Sequence, residues 1–139
     1  MLKNGDLVTP SKYKVSRLRR VADLFVLDLW ATFERFVITY LQDKMTVLQQ
    51  HIVPITLASP VYEHVKNEIE YWKPDDILNL LKAISSIDKN LIGQARTVLR
   101  YRNWIGHGKN TNKAPSISAV STSYAYQILN EIVEILLLN

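Results

Sequence analysis

SRLRRVADLFVLDLWATFERFVITYLQDKMTVLQQ, residues 16–50, runs its whole length without a glycine or a proline. A stretch this long with no breaker predicts one long helix, straight or bent near Asp43. At about 100° per residue its apolar positions divide into two stripes. Leu24, Leu27, Ala31, Ile38, Leu41 and Met45 form one. Phe25, Leu29, Phe33, Phe36 and Tyr40 form a second, nearly opposite. A helix apolar on two sides is either central to its domain or shared with a second subunit. A later helix or a symmetry mate can cover the aromatic stripe, and both options stay open here. Glu34 interrupts the first stripe, where a carboxylate needs a partner because burying an isolated charge is costly.

Outward from this helix the chain stays helical. Residues 1–15 carry Gly5 and Pro10 and read as an N-terminal arm. Lys12, Lys14, Arg17, Arg19 and Arg20 make a basic opening, a solvated turn in the plainer reading and a phosphate-facing patch in the sharper one. His51–Pro60 reads as a connection with Pro54 and Pro60 as stops, followed by a short helix over about Val61–Trp72. Asp75 is placed to cap the next helix, about Ile77–Ile84, and a further helix starts near Asp88. The polar loop 110–116 precedes a last helix over about Ile117–Leu138. The expected architecture is all-α: a single domain over residues 16–139, a bundle of about five helices with long first and last members.

Composition narrows the chemistry. The 139 residues include no cysteine, which removes disulfides, thiolate ligands and a cysteine nucleophile. The three histidines, His51, His64 and His107, are widely spaced and form no zinc pattern, so neither a metal nor another cofactor is expected. Lys and Arg outnumber Asp and Glu by 17 to 13, a net charge of +4 that permits a polyanionic partner without requiring one. The most apolar run, Leu24–Leu41, is broken by Asp28, Glu34 and Arg35, so no membrane span is expected. The start, Met1-Leu2-Lys3-Asn4-Gly5-Asp6, lacks the apolar core of a secretory signal, and a cytoplasmic protein is the default.

One stretch gathers groups able to handle a phosphate: Tyr101-Arg102-Asn103-Trp104-Ile105-Gly106-His107-Gly108-Lys109, at the end of the fourth helix. Around Arg102, Leu91, Ala95, Val98, Leu99 and Ile105 all fall within about 60° on the wheel. Arg102 therefore sits mid-way across the face expected to be buried, whereas Arg96 and Arg100 lie on the other side. Arginine keeps its charge, so Arg102 needs either a partner, for which Glu34 is the candidate, or a wet cleft. Asn103 and His107 are four apart and share a face. Arg102 and His107 are roughly 140° apart on an ideal helix. They meet only if Gly106 and Gly108 loosen the helix, or if two copies of the helix form one site. His107 by itself also suits a helix C-terminal cap.

Arg102-Asn103-Trp104-Ile105-Gly106-His107 resembles the R-x4-6-H signature of HEPN domains, with the common Asn after the Arg, and Gly108 suits the RN-x3-HG form. The all-α reading, the late position of the motif and the inward Glu34 agree with the resemblance, which covers about residues 16–138. It implies a metal-independent endoribonuclease, acting as a homodimer that joins two motifs in one cleft. His107 would be the acid/base for attack of the ribose 2′-hydroxyl on its phosphate, Arg102 would stabilise the phosphorane, and Asn103 would position His107 or the phosphate. Arg96, Arg100, Lys109 and Lys113 would guide the RNA backbone. Many such proteins are toxins or phage-defence effectors, implying an antitoxin or a larger defence assembly as partner. One toxin branch carries a modifiable tyrosine two residues after the histidine; here that position is Lys109, which implies another form of control. A non-catalytic HEPN module binding RNA, nucleotide or protein, and an unrelated helical interaction domain with an Arg102–Glu34 core pair, are the alternatives.

Overall fold

The computed structural model describes residues 10–109 and 120–138, with side chains from residue 14 onward. Five α-helices follow in order: α1 (Pro10–Gln49), α2 (Ile55–Ile69), α3 (Pro74–Lys82), α4 (Lys89–Gly106) and α5 (Thr122–Leu137). The all-α bundle expected from the sequence is the observed fold, with α1 against α2, α4 and α5, α3 against α4, and α4 against α5. No helix among the described residues is long and apolar enough to cross a membrane.

Several boundaries differ from expectation. The long helix starts at Pro10 and not near Ser16, so residues 10–15, expected in the arm, are helical, and the rest of that arm lies outside the described residues; proline suits a first helical turn, where no N–H is needed. Likewise α2 begins at Ile55 and runs through Pro60, which lacks the N–H for one helical bond. Asp75 is not a cap: Lys73 holds that position, Pro74 opens α3, and Asp75 and Asp76 lie in its first turn, where carboxylates favour the helix dipole. Asp88 does cap α4, accepting from the Asn90 N–H at 2.8 Å, and Ser121 caps α5, accepting from the Tyr124 N–H at 3.0 Å.

The centre of α1 corrects the two-stripe reading. Its buried positions are Asp23, Val26, Trp30, Phe33, Val37 and Ile38; Val26, Trp30 and Val37 run between the two expected stripes, with Phe33 of the aromatic stripe and Ile38 of the other at the edges. The stripes are the shoulders of one broad face: Leu29, Phe36 and Tyr40 pack half-buried on one side, Leu41 and Met45 on the other. The aromatic stripe is thus covered by the protein's own core from Leu29 to Tyr40, and Phe25 alone of its members stands 49% exposed. Opposite, Leu91, Ile92, Ala95, Val98 and Leu99 of α4 and Ile128, Leu129 and Ile132 of α5 complete the core. Arg35 bridges α1 to the end of α2 through both Glu70 oxygens, at 3.1 and 2.7 Å, and Gln42 donates to the same carboxylate at 3.0 Å.

Candidate functional site

Arg102 is half-buried on the inner face of α4, as the wheel places it. The expected partner, Glu34, does not pair with it; Glu34 accepts instead from the Trp30 indole N–H at 3.1 Å. Arg102 Nη1 donates to the Asn103 side-chain oxygen at 3.1 Å, and its Nε–H is shielded from solvent without a partner. Among the described residues no carboxylate pairs with the guanidinium, an arrangement that suits an anion arriving from outside.

His107 ends the helix. Its backbone N–H donates to Asn103 O at 2.9 Å, and its side chain is exposed, with no hydrogen bond to Arg102 or Asn103. Asn103 is therefore spent on Arg102, not on the imidazole. Gly108 follows at φ 79°, with its N–H on Ile105 O at 3.1 Å, and the Lys109 N–H returns to Trp104 O at 2.9 Å. These two bonds make a Schellman turn, which needs a left-handed residue where Gly108 stands. Gly106 stays helical, so the loosening that would bring Arg102 and His107 together within one chain does not occur.

The turn sends Lys109 back across α4, and here lies a cluster the sequence did not disclose. Lys109 Nζ is 2.6 Å from Asp23 Oδ2. Asp23 is only 4% exposed, although it lies on the same α1 stripe as Val26 and Trp30, just beyond the apolar core. Its Oδ1 accepts from the Tyr101 hydroxyl at 2.7 Å and lies 3.3 Å from Arg19 Nη2. Arg19 also donates to the Tyr101 hydroxyl and stands over that ring, 5.4 Å from its centroid. One buried carboxylate thus holds two cations and a phenol. The available signal was the i, i+4, i+7 run Arg19, Asp23, Val26, in which polar residues extend the core stripe.

Above the cluster opens a cavity of about 740 Å³ between the N-terminal half of α1 and the final turn of α4, lined by Arg19, Arg20, Asp23, Leu24, Leu27, Ile105 and Lys109 among others. The remaining expected backbone-guiding residues scatter. Arg96 is tied to α3, donating to Asp75 at 3.1 Å and to the Asn79 side-chain oxygen. Arg100 is exposed on the outer face of α4, and Lys113 lies outside the described residues. Among the described residues no three His, Asp or Glu side chains gather as a metal site. Comparison with protein-family models, with curated proteins and with solved structures returns no match to this chain.

Proposed function

We propose that the protein is a metal-independent endoribonuclease of HEPN type, with Arg102, Asn103 and His107 from two copies forming one site in a homodimer. The observation that carries this reading is Arg102: turned inward, steadied by Asn103, and without a carboxylate partner among the described residues. A phosphodiester supplies the missing anion, and a guanidinium is well suited to the charge that builds on a phosphorane. His107, exposed at the end of the same helix, is free to act as acid and base on a phosphate held by the facing copy. The product would carry a 2′,3′-cyclic phosphate, and DNA, lacking the 2′-hydroxyl, would not be cut. A cytoplasmic toxin or phage-defence effector fits such an activity, with control other than tyrosine modification because Lys109 holds that place. The separation of His107 from Arg102 within one chain favours, as a second reading, a HEPN module that binds RNA, nucleotide or protein without cutting it.

The test is labelled RNA incubated with the protein in excess EDTA, beside Arg102→Ala and His107→Ala. Cleavage by the parent alone, leaving cyclic-phosphate ends, is the expected result. Cleavage that needs metal, or that survives in both variants, overturns the mechanism. Retained RNA binding with no cleavage by the parent selects the second reading. Sedimentation at micromolar concentration should show a dimer, and a monomer would remove the composite site.

A further inference from the structure

We propose that the protein docks on anionic lipid membranes through the outward face of the N-terminal half of α1, lying on the bilayer surface without crossing it. The charge of the chain is concentrated here. Residues 10–23 hold Lys12, Lys14, Arg17, Arg19 and Arg20 against one carboxylate, Asp23, a net +4 that equals the charge of the whole chain. The other 12 Lys and Arg are balanced by 12 Asp and Glu, so the rest of the chain is neutral. Asp23 is buried on the bundle side of the helix, where it holds Arg19. The solvent side is therefore cationic, with Lys14, Arg17 and Arg20 exposed, and a one-sided field of this kind draws the protein to an anionic surface.

The same face is also apolar. At about 100° per residue, Val21 stands opposite the buried Trp30, at the outward pole of the helix. Lys14, Arg17, Leu18, Leu24 and Phe25 all lie within about 60° of it. Leu18, Val21, Leu24 and Phe25 are 59%, 63%, 55% and 49% exposed, a patch of large apolar side chains left in water. Cations and apolar groups are thus interleaved on one convex surface. A protein groove that took up the leucines would also strip water from Lys14 and Arg17. RNA would take the cations and leave the aliphatic groups in water. A lipid interface satisfies both: the long cationic side chains reach the phosphates, while their stems and the apolar groups enter the acyl boundary. Asp28, exposed two turns beyond Val21 near the same pole, ends the patch. Docking this way leaves the Asp23 cluster, and with it the end of α4, on the far side of α1. Nothing in this face depends on the ribonuclease reading above.

The experiment is cosedimentation of the full chain with vesicles of phosphatidylcholine, alone or with about 30% phosphatidylglycerol. Binding to the anionic vesicles and not to the neutral ones is the expected result. Lys14→Gln with Arg20→Gln should weaken it by about tenfold or more, at roughly fivefold for each cation near a charged surface. Leu18→Ser with Val21→Ser should also weaken it by about tenfold or more, with the charge unchanged. Both pairs alter exposed positions and should melt as the parent does. In Phe25→Trp protein, lipid brominated in its acyl chains should quench the added tryptophan emission. No binding to anionic vesicles, equal binding to both kinds, unquenched emission, or binding that ignores the serine pair and so runs on charge alone, overturns the proposal. Loss of a dimer on introducing the serine pair would assign the face to a second copy and overturns it as well. RNA cleavage is not read, so failure of the ribonuclease reading leaves the result untouched.

Discussion

Lys109 Nζ meets Asp23 Oδ2 at 2.6 Å, so the residue just past the Arg102–His107 segment is fastened to the first helix. The same carboxylate takes the Tyr101 hydroxyl from within α4 and Arg19 from its own helix. The end of α4 is thereby held from both sides of its last turn. Whatever His107 does, it does from a helix terminus whose position is set by a buried charge on α1.

Removing that charge should be costly. Asp23→Ala leaves the buried Tyr101 hydroxyl proton without its acceptor and leaves two cations without their shared carboxylate. Breaking a buried pair from one side costs about 3–5 kcal/mol. Arg19 and Lys109 are 35% and 41% exposed and partly rehydrate, which lowers the expected loss to about 2–3 kcal/mol. Tyr101→Phe, which removes the hydroxyl's bond to Asp23 and its bond from Arg19 but leaves the charges paired, should cost about 1–2 kcal/mol. Urea unfolding measures both, and an Asp23→Ala loss no larger than that of Tyr101→Phe would contradict the account.

Arg102 should behave in the opposite way. A core ion pair with Glu34 would make either partner's removal expensive, but no such pair exists, and Arg102 carries an unpaired buried N–H. Arg102→Met, which keeps the stem and discards the charge, should therefore change stability by less than about 1 kcal/mol, with a gain as ready an outcome as a loss. The double-mutant cycle of Arg102→Met with Glu34→Gln should show a coupling within about 0.5 kcal/mol of zero. A coupling of several times that size would restore the ion pair.

These two sites show where sequence reading succeeds. The inward position of Arg102 was legible because Leu91, Ala95, Val98 and Leu99 define one face of α4 and all are buried. Its partner was not, because Glu34 lies on a shoulder of α1 and its acceptor is taken by Trp30, one helical turn back. On α1 the abundance of apolar residues hid the true centre: Val26, Trp30 and Val37 fell in the gap between two stripes drawn around them. Once the centre is known, Asp23 and Arg19 continue it. The groups that satisfy them still come from Tyr101, 78 positions along the chain, and from a turn whose direction depends on the φ of Gly108.

Acid should weaken the join between α1 and α2. Hydrogen bonds from Arg35, and then from Gln42, hold the Glu70 carboxyl below its ordinary range. A carboxyl with a lowered folded-state pKa stabilises the fold above its unfolded value, and that contribution fades as pH falls through the folded value. Parent and Glu70→Gln should therefore differ in melting temperature at neutral pH and converge below the ordinary carboxylate range. The group is exposed, so the difference is small. Parallel acid limbs across the whole range would show that the bridge contributes nothing.

The two glycines around His107 should answer alanine in opposite directions. Gly106 lies within α4, and a Cβ there would meet nothing within 4 Å. Gly106→Ala should stabilise by about 0.5–1 kcal/mol, by restricting the unfolded chain and favouring helix. Gly108 is equally open to a Cβ but has φ 79°, so its cost is confined to the backbone. Gly108→Ala should lose about 1–2 kcal/mol. The loss has a second consequence, because the Schellman turn is what returns Lys109 to Asp23. If Gly108→Ala loosens that turn, a subsequent Lys109→Ala should cost less in the Gly108→Ala background than in the parent. Equal costs in both backgrounds would mean that Lys109 reaches Asp23 without help from the turn, and the link between helix cap and buried carboxylate would be lost.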